Sequence, residues 1–229
     1  MMDFIEGEIL YVNKPLHWTS FRLVKVIRAK LCAKLGIKKL KVGHAGTLDP
    51  LATGVMIVCT GKKTKQIERL QAGVKEYTAT IRLGATTPSF DLETEVDAVY
   101  PVEHITEEMV RECLQKFVGE IEQIPPAYSA VKVNGQRAYD LARKDVAFEL
   151  KPKILVIDSI ELKDYDLPNI EVSIACSKGT YIRALARDIG ESLNSGGHLT
   201  SLVRTRVGEA TLDKCLEVDE LDGFFSKNI

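Results

Sequence analysis

The amino-acid sequence predicts a mixed α/β fold of the α+β kind, with a central, largely antiparallel sheet flanked by helices. Strand-like and helix-like segments are interspersed without the regular strand–helix–strand rhythm of a doubly wound parallel sheet. Hairpin signals recur, the clearest being Asn134-Gly135. The 229 residues, 45% of them hydrophobic, supply enough apolar surface for a sizeable core.

Residues 7–13 (GEILYVN) read as a strand stopped by Pro15, which cannot continue a ladder. Thr19 or Ser20 then caps a helix whose Phe21, Val24, Ile27, Leu31 and Leu35 recur at helical spacing. Arg22, Lys25, Arg28, Lys30 and Lys34 lie on its other face, and Gly36 ends it. A basic stretch, 38–41, leads to a glycine-containing loop at 43–46, and 54–59 is an apolar run of buried-strand length. Tyr77, Ala79, Ile81 and Leu83 alternate with more polar residues, so 76–83 is a strand, whereas the Thr-, Pro- and Ser-rich segment 84–94 is a loop. Thr106 caps a second helix running to Val118, with Glu107 and Glu108 in its first turn and Met109, Val110, Cys113, Leu114 and Phe117 as its apolar stripe. After Pro125-Pro126, the Asn134-Gly135 turn joins strands at 130–133 and 137–139. Strands at 154–162 and 170–176, a helix at 181–193 and a strand at 200–207 complete the pattern. With no repeat or low-complexity linker, residues 1–229 read as one domain carrying an insertion at about 124–151.

The longest apolar runs, 54–60 and 154–157, are too short to span a bilayer. Asp3 and Glu6 near the start do not fit a signal peptide, and five scattered cysteines without metal spacing suit reduced thiols in the cytoplasm. The formal net charge of −1 hides a strong asymmetry. Residues 1–75 hold 14 Lys+Arg against 5 Asp+Glu, 76–170 hold 10 against 18, and 171–229 hold 7 against 9. A locally positive surface able to meet phosphates therefore coexists with a nearly neutral whole.

Two segments carry candidate chemistry. Residues 43–54 (GHAGTLDPLATG) place three glycines, a histidine and a carboxylate on one short loop. Glycine permits close approach of backbone to ligand, and Pro50 biases Asp49 toward an extended conformation. A lone aspartate on such a loop also fits a turn cap, and His44 a structural histidine, so the residues alone leave both readings open. Residues 176–183 (CSKGTYIR) form a strand-to-helix turn where free amides and Lys178 suit a phosphate, and Arg183 is placed for a bidentate carboxylate pair. His17, His44, His104 and His198 show no metal spacing, and neither a serine-hydrolase elbow nor a deaminase zinc pattern is present.

These motifs resemble the bacterial tRNA pseudouridine-55 synthases of the TruB type over nearly the whole chain. Asn13-Lys14-Pro15 with Trp18-Thr19-Ser20 is similar to the family's first motif, and 43–54 to the second, which carries its catalytic aspartate. Tyr77 with Arg82-Leu83-Gly84, the stretch 124–130 (IPPAYSA) and 178–183 (KGTYIR) follow in the family's order.

The resemblance implies a pseudouridine synthase fold with an RNA-binding insertion. It also implies detachment of the uridine at position 55 in the tRNA T loop and its reattachment through C5. Asp49 is the implied nucleophile or base, Arg183 its counter-charge, and Tyr77 the residue stacking on uracil. Leu202 walls the pocket, and His44 fills the space left when the base flips out. Lys14, Lys62, Lys65 and Lys132 are implied RNA-backbone contacts, with Lys178 and Tyr181 in the last motif. No metal or organic cofactor, no membrane and no obligatory protein partner are expected, and the protein is expected to be a monomer. The segment 86–91 (TTPSFD) departs from the family's more usual Thr-Asp-Thr-x-Asp. Residues 218–229 are too few for the C-terminal RNA-binding PUA domain of many relatives, so a short form is expected.

Overall fold

The computed structural model describes residues 1–229 except Asp145. Strand β1, Ile9–Lys14, alternates half-buried and buried residues and ends at Pro15. Thr19 caps α1, Ser20–Leu35, by accepting from the Arg22 N–H, and Gly36 closes it at φ 66. Leu23, Val24, Ile27 and Leu31 are buried, whereas Phe21, expected among them, is 68% exposed. At about 100° per residue, those four positions share one face, and residue 21 falls roughly 100° from its centre.

Next come β2, Val42–His44, and the almost wholly buried β3, Ala52–Thr60. A 3-10 turn, Gly61–Gln66, runs into the short α2, Ile67–Gln71. Strand β4, Lys75–Leu83, buries every second side chain, and β5, Ala85–Thr86, pairs with β6, Ala98–Val99. Thr106 caps α3, Glu107–Gln115, which stops short of the expected Val118 and leads into β7, Gly119–Gln123.

Strands β8, Lys132–Val133, and β9, Gln136–Arg137, form the predicted hairpin, with Asn134 and Gly135 at φ 50 and 84 as a type I′ turn requires. The second arm does not reach Tyr139 as expected, because α4, Ala138–Ala142, begins there. A long pair follows, β10, Lys153–Asp166, and β11, Asn169–Cys176. The chain then runs through α5, Ile182–Ser192, β12, Gly197–Val207, β13, Ala210–Thr211, and α6, Leu221–Asn228.

The chain divides into two compact units. The first comprises Met1–Tyr77 with Leu202–Ile229. Here β3 pairs antiparallel with β1 and β2, and parallel with the end of β12, Leu202 facing Ala52 and Arg204 facing Gly54. Val55, Ile57 and Cys59 of β3 pack with Ala45, Val207 and Ala210 as its core. α6 is held to α1 by a Lys30–Asp222 ion pair and by Lys34 donating to the Ser226 hydroxyl.

The second unit, Thr78–Ser201, takes strands in the order β12, β4, β11, β10, β7, with α3 against β10. Antiparallel pairing dominates in both units, and helices flank the sheet in each. Among the described residues, no helix is long and apolar enough to cross a membrane.

Candidate active site

In the first unit, residues 43–54 form a loop fixed from several sides. The Ala45 N–H donates to Ile57 at 2.9 Å, continuing the β2–β3 pairing. Ser20, the first residue of α1, uses its hydroxyl twice, accepting from the Leu48 N–H and donating to the Leu48 carbonyl, each at 2.9 Å. On the far side of Asp49, the Pro50 carbonyl accepts from the His17 N–H at 2.8 Å. Asp49 itself is half-buried, and its carbonyl accepts from Ala52 at 3.1 Å. A carboxylate is thus presented on backbone that is hydrogen-bonded at the preceding and following residues.

Two buried cations complete this frame. Lys14, expected as an RNA-backbone contact, has no exposed surface, and its ammonium donates to Pro15 at 2.9 Å, Trp18 at 2.7 Å and Pro50 at 3.5 Å. It ties the turn after β1 to the Asp49 loop instead of facing solvent. Burial pushes its pKa down to about 8, opposed by the Asp49 carboxylate and aided by the Arg204 charge. Arg204 on β12 is 1% exposed and donates to Val55 at 2.8 Å, Gly46 at 3.2 Å and Thr47 at 3.3 Å. Nothing local in the sequence singled it out, since its partners lie about 150 residues earlier. Gly54, opposite Arg204 at φ 108, has no room for a side chain, because a Cβ would sit 2.2 Å from the Arg204 carbonyl oxygen.

His44 ends β2, half-buried, and its Nδ1 has no hydrogen-bond partner among the described residues. Burial lowers its pKa, the Gly46 backbone opposes that and the Arg204 charge adds to it, so the ring stays neutral near pH 7. Tyr77 is buried on β4, and Leu202 is half-buried beside Ala52, where the loop enters β3. Lys62 and Lys65 stand exposed on the turn after β3, and Lys62 meets Glu6 at 2.6 Å.

In the second unit, Arg183 lies in the first turn of α5, 4% exposed. Its guanidinium donates to the Ser89 and Tyr128 carbonyls, both at 3.0 Å, and its Nε lies 3.5 Å from the buried Asp91 carboxylate. Asp91 belongs to the departing 86–91 segment and was not foreseen. Between its two Arg183 contacts, Phe90 adopts φ 62, unusual for a bulky residue, and Arg187 covers its ring at 4.7 Å. Arg183 and Arg187, one helical turn apart, thereby grip this loop. The Gln123 side chain brackets Tyr181, donating to its carbonyl at 3.2 Å and accepting its N–H at 2.9 Å. Lys178 and Lys132 are exposed, the latter on the hairpin strand β8.

The N-terminal domain model of the TruB family of pseudouridylate synthases matches residues 33–182. Over 218 residues the chain is 67% identical to the tRNA pseudouridine synthase B of Phocaeicola vulgatus, covering 95% of this chain and 93% of that one. The chain belongs to the TruB family. As a pseudouridine synthase of this family it is an isomerase. The tRNA pseudouridine synthase B of Parabacteroides distasonis is 65% identical over 228 residues, covering 100% of this chain and 97% of the relative. Among solved structures, one of a Cbf5-Nop10-Gar1 complex superposes with a TM-score of 0.71 at 26% identity, covering 97% of this chain and 55% of that one. The TruB match takes in the whole Asp49 loop, Tyr77 and the strand-to-helix turn as far as Ile182.

Proposed function

We propose that this TruB-family enzyme converts uridine 55 in the T loop of tRNA to pseudouridine, with Asp49 starting the chemistry. The observation that carries the reading is the Asp49 loop, a glycine-rich segment within the family match that Ser20, Lys14 and Arg204 hold rigid. The name of the relatives, tRNA pseudouridine synthase B, supports tRNA as the substrate.

The reaction breaks the N1–C1′ bond and forms a C5–C1′ bond. The C5 hydrogen leaves as a proton and N1 gains one, so no oxidant, reductant or added group is required. Whether the carboxylate attacks the ribose, attacks the uracil ring or removes a ribose proton, it must be ionised, and burial alone opposes that. Arg183 supplies the opposing charge in this reading, held by the Ser89 and Tyr128 carbonyls and Asp91. Tyr77 stacks on the uracil and assists loss of the C5 proton, while Leu202 walls the pocket.

A base inside the folded T loop is out of reach, so it is flipped outward, and the neutral His44 fills the space it leaves. Lys62, Lys65, Lys132 and Lys178 meet phosphates, and Tyr181 belongs to the same RNA-facing motif as Lys178. The five free cysteines fit action in the cytoplasm.

The test is tritium release from C5-labelled uridine in an unmodified T-stem-loop, comparing wild type with Asp49→Asn. Release by wild type alone is expected, with the variant still binding the RNA. Normal turnover by Asp49→Asn would remove Asp49 from its role, and a folded wild type that releases nothing would remove this substrate.

A further inference from the structure

We infer that His17, Trp18, Phe21 and Arg22 form an RNA-binding shelf that stacks an unpaired base and holds a phosphate next to the Asp49 loop. Resting on the tRNA reaction proposed above, the assignment concerns the strand flanking the reacting uridine rather than the uridine itself.

The charge pattern points to a polyanion. From residue 9 to residue 48 the chain has nine Lys+Arg and no Asp or Glu. Arg28 donates to the Val42 carbonyl and Lys30 pairs with Asp222, both fastening α1 in place. Arg22 and Lys25 are exposed, and neither has an ion pair among the described residues. Arg22 also lies in the first turn of α1, where the helix's own amides are partly positive and no acidic residue offsets them. A bound phosphate relieves that repulsion.

The apolar pattern points to a stacking partner. Phe21 leaves 68% of its surface in water although α1 already fills the core with Leu23, Val24, Ile27 and Leu31. A single exposed ring is ordinary on a protein surface; Phe21 is set apart by its place in the run without acidic residues, one helical turn before the exposed Lys25. Next to it, the Arg22 guanidinium lies 4.1 Å over the Trp18 ring, which fixes a planar cation in a set orientation. Unpaired RNA bases stack on aromatic rings and guanidinium planes, and flipping a nucleotide out of a loop leaves its neighbours without one stacking partner.

The backbone places this shelf at the reaction. His17 is exposed at φ 62, a conformation disfavoured for a side-chain-bearing residue and concentrated at functional sites. In that conformation its N–H reaches Pro50, while Ser20 grips Leu48. The two tethers flank Asp49, so a strand delivering uridine to that carboxylate passes the shelf.

Phe21→Ala, Arg22→Ala, Arg22→Lys and the double alanine variant separate the parts. Tritium release gives KM and kcat on an unmodified T-arm stem-loop, and fluorescence anisotropy at several salt concentrations gives Kd and its salt slope. Phe21→Ala is expected to raise KM and Kd roughly tenfold or more with an unchanged slope. Arg22→Ala is expected to raise both and to lower the slope by about 1, with Arg22→Lys restoring the slope but only part of the affinity. Maximal turnover changes far less than KM, as a contact to the flanking strand requires. Wild-type turnover together with KM, Kd and slope unchanged within about twofold in the double variant overturns the shelf and leaves the reaction standing. A wild type that neither binds nor converts this RNA overturns both.

Discussion

Replacing Arg204 by methionine removes the brace under the Asp49 loop while keeping a long side chain in its place. The guanidinium is 1% exposed and serves three carbonyls, Val55 at 2.8 Å and Gly46 and Thr47 at 3.2 and 3.3 Å. Each buried acceptor left without a donor costs about 1–3 kcal/mol, with the shorter Val55 bond at the upper end and the two longer ones at the lower. The three together cost about 4–5 kcal/mol. Relief from no longer burying a cation returns part of this, leaving about 3 kcal/mol. With a urea slope of about 3 kcal/mol per molar, the unfolding midpoint falls by about 1 M. Amides near the loop, such as Ala45 and Leu48, should exchange faster than the change in global stability explains, and kcat should fall by up to about a hundredfold as Asp49 loses its fixed position. Arg204→Lys, which keeps the charge without the fork, should recover about half of the stability. A midpoint shift below about 0.3 M at unchanged slope, with ordinary exchange in the loop, refutes the brace.

Gly54→Ala should lower Tm by at least about 10 °C, because the new Cβ lies 2.2 Å from backbone oxygen at φ 108 and no flexible side chain can yield; a shift below about 2 °C in thermal unfolding would mean that β3 and β12 separate to admit it. Lys14 has a folded pKa lowered to about 8, so the unfolded chain holds more protons above that pH and the Lys14 contribution to stability rises from about 8 toward the ordinary lysine value of 10.5. From pH 8 to 9 Lys14 alone contributes a gain of about 1 kcal/mol, of which the Cys59 and Cys215 thiols, raised to about 11, take back about 0.7 kcal/mol as the unfolded thiols ionise around 9.0. Lys14→Met should abolish that rise in urea titrations, and an identical rise in the variant would assign it elsewhere. Asp91→Asn keeps the side-chain shape but removes the charge 3.5 Å from Arg183, so kcat should fall about a hundredfold and stability by about 3 kcal/mol; full single-turnover rates would show that the Ser89 and Tyr128 carbonyls suffice.

The strands were legible where alternation or apolar continuity was strong, as in β3 and β4, and the ends of α1 were legible because Thr19 and Gly36 have local roles. The Asn134-Gly135 turn was equally plain, but the helix directly after it was not, since five residues give too little periodicity. No element is assigned to 61–71 from sequence, because the structure buries no residue there and so no apolar stripe marks the short helices. Phe21 was misplaced by counting apolar residues without centring the buried face.

The site divides in the same way. Asp49 and Arg183 sit in unusual local sequence and were singled out from it. Arg204 and Asp91 act through partners distant in sequence or through a loop departing from the family pattern. Lys14 misled because a lysine is almost always exposed, and only the three carbonyls gathered round it make its burial tolerable.

The first unit is assembled from two stretches separated by the whole of the second. On a translating ribosome, Gly46 and Thr47 therefore emerge well before Arg204, which follows Thr47 by 157 residues. At about 5–20 residues per second that interval is about 8–30 s. During it β3 lacks its parallel neighbour while residues 78–201 are themselves emerging, complete as a contiguous block only just before Arg204. The nascent chain is thus held inactive by its own order of synthesis, and the tightest vulnerability to proteases or chaperone capture falls in that window, with the apolar β3 as the exposed element.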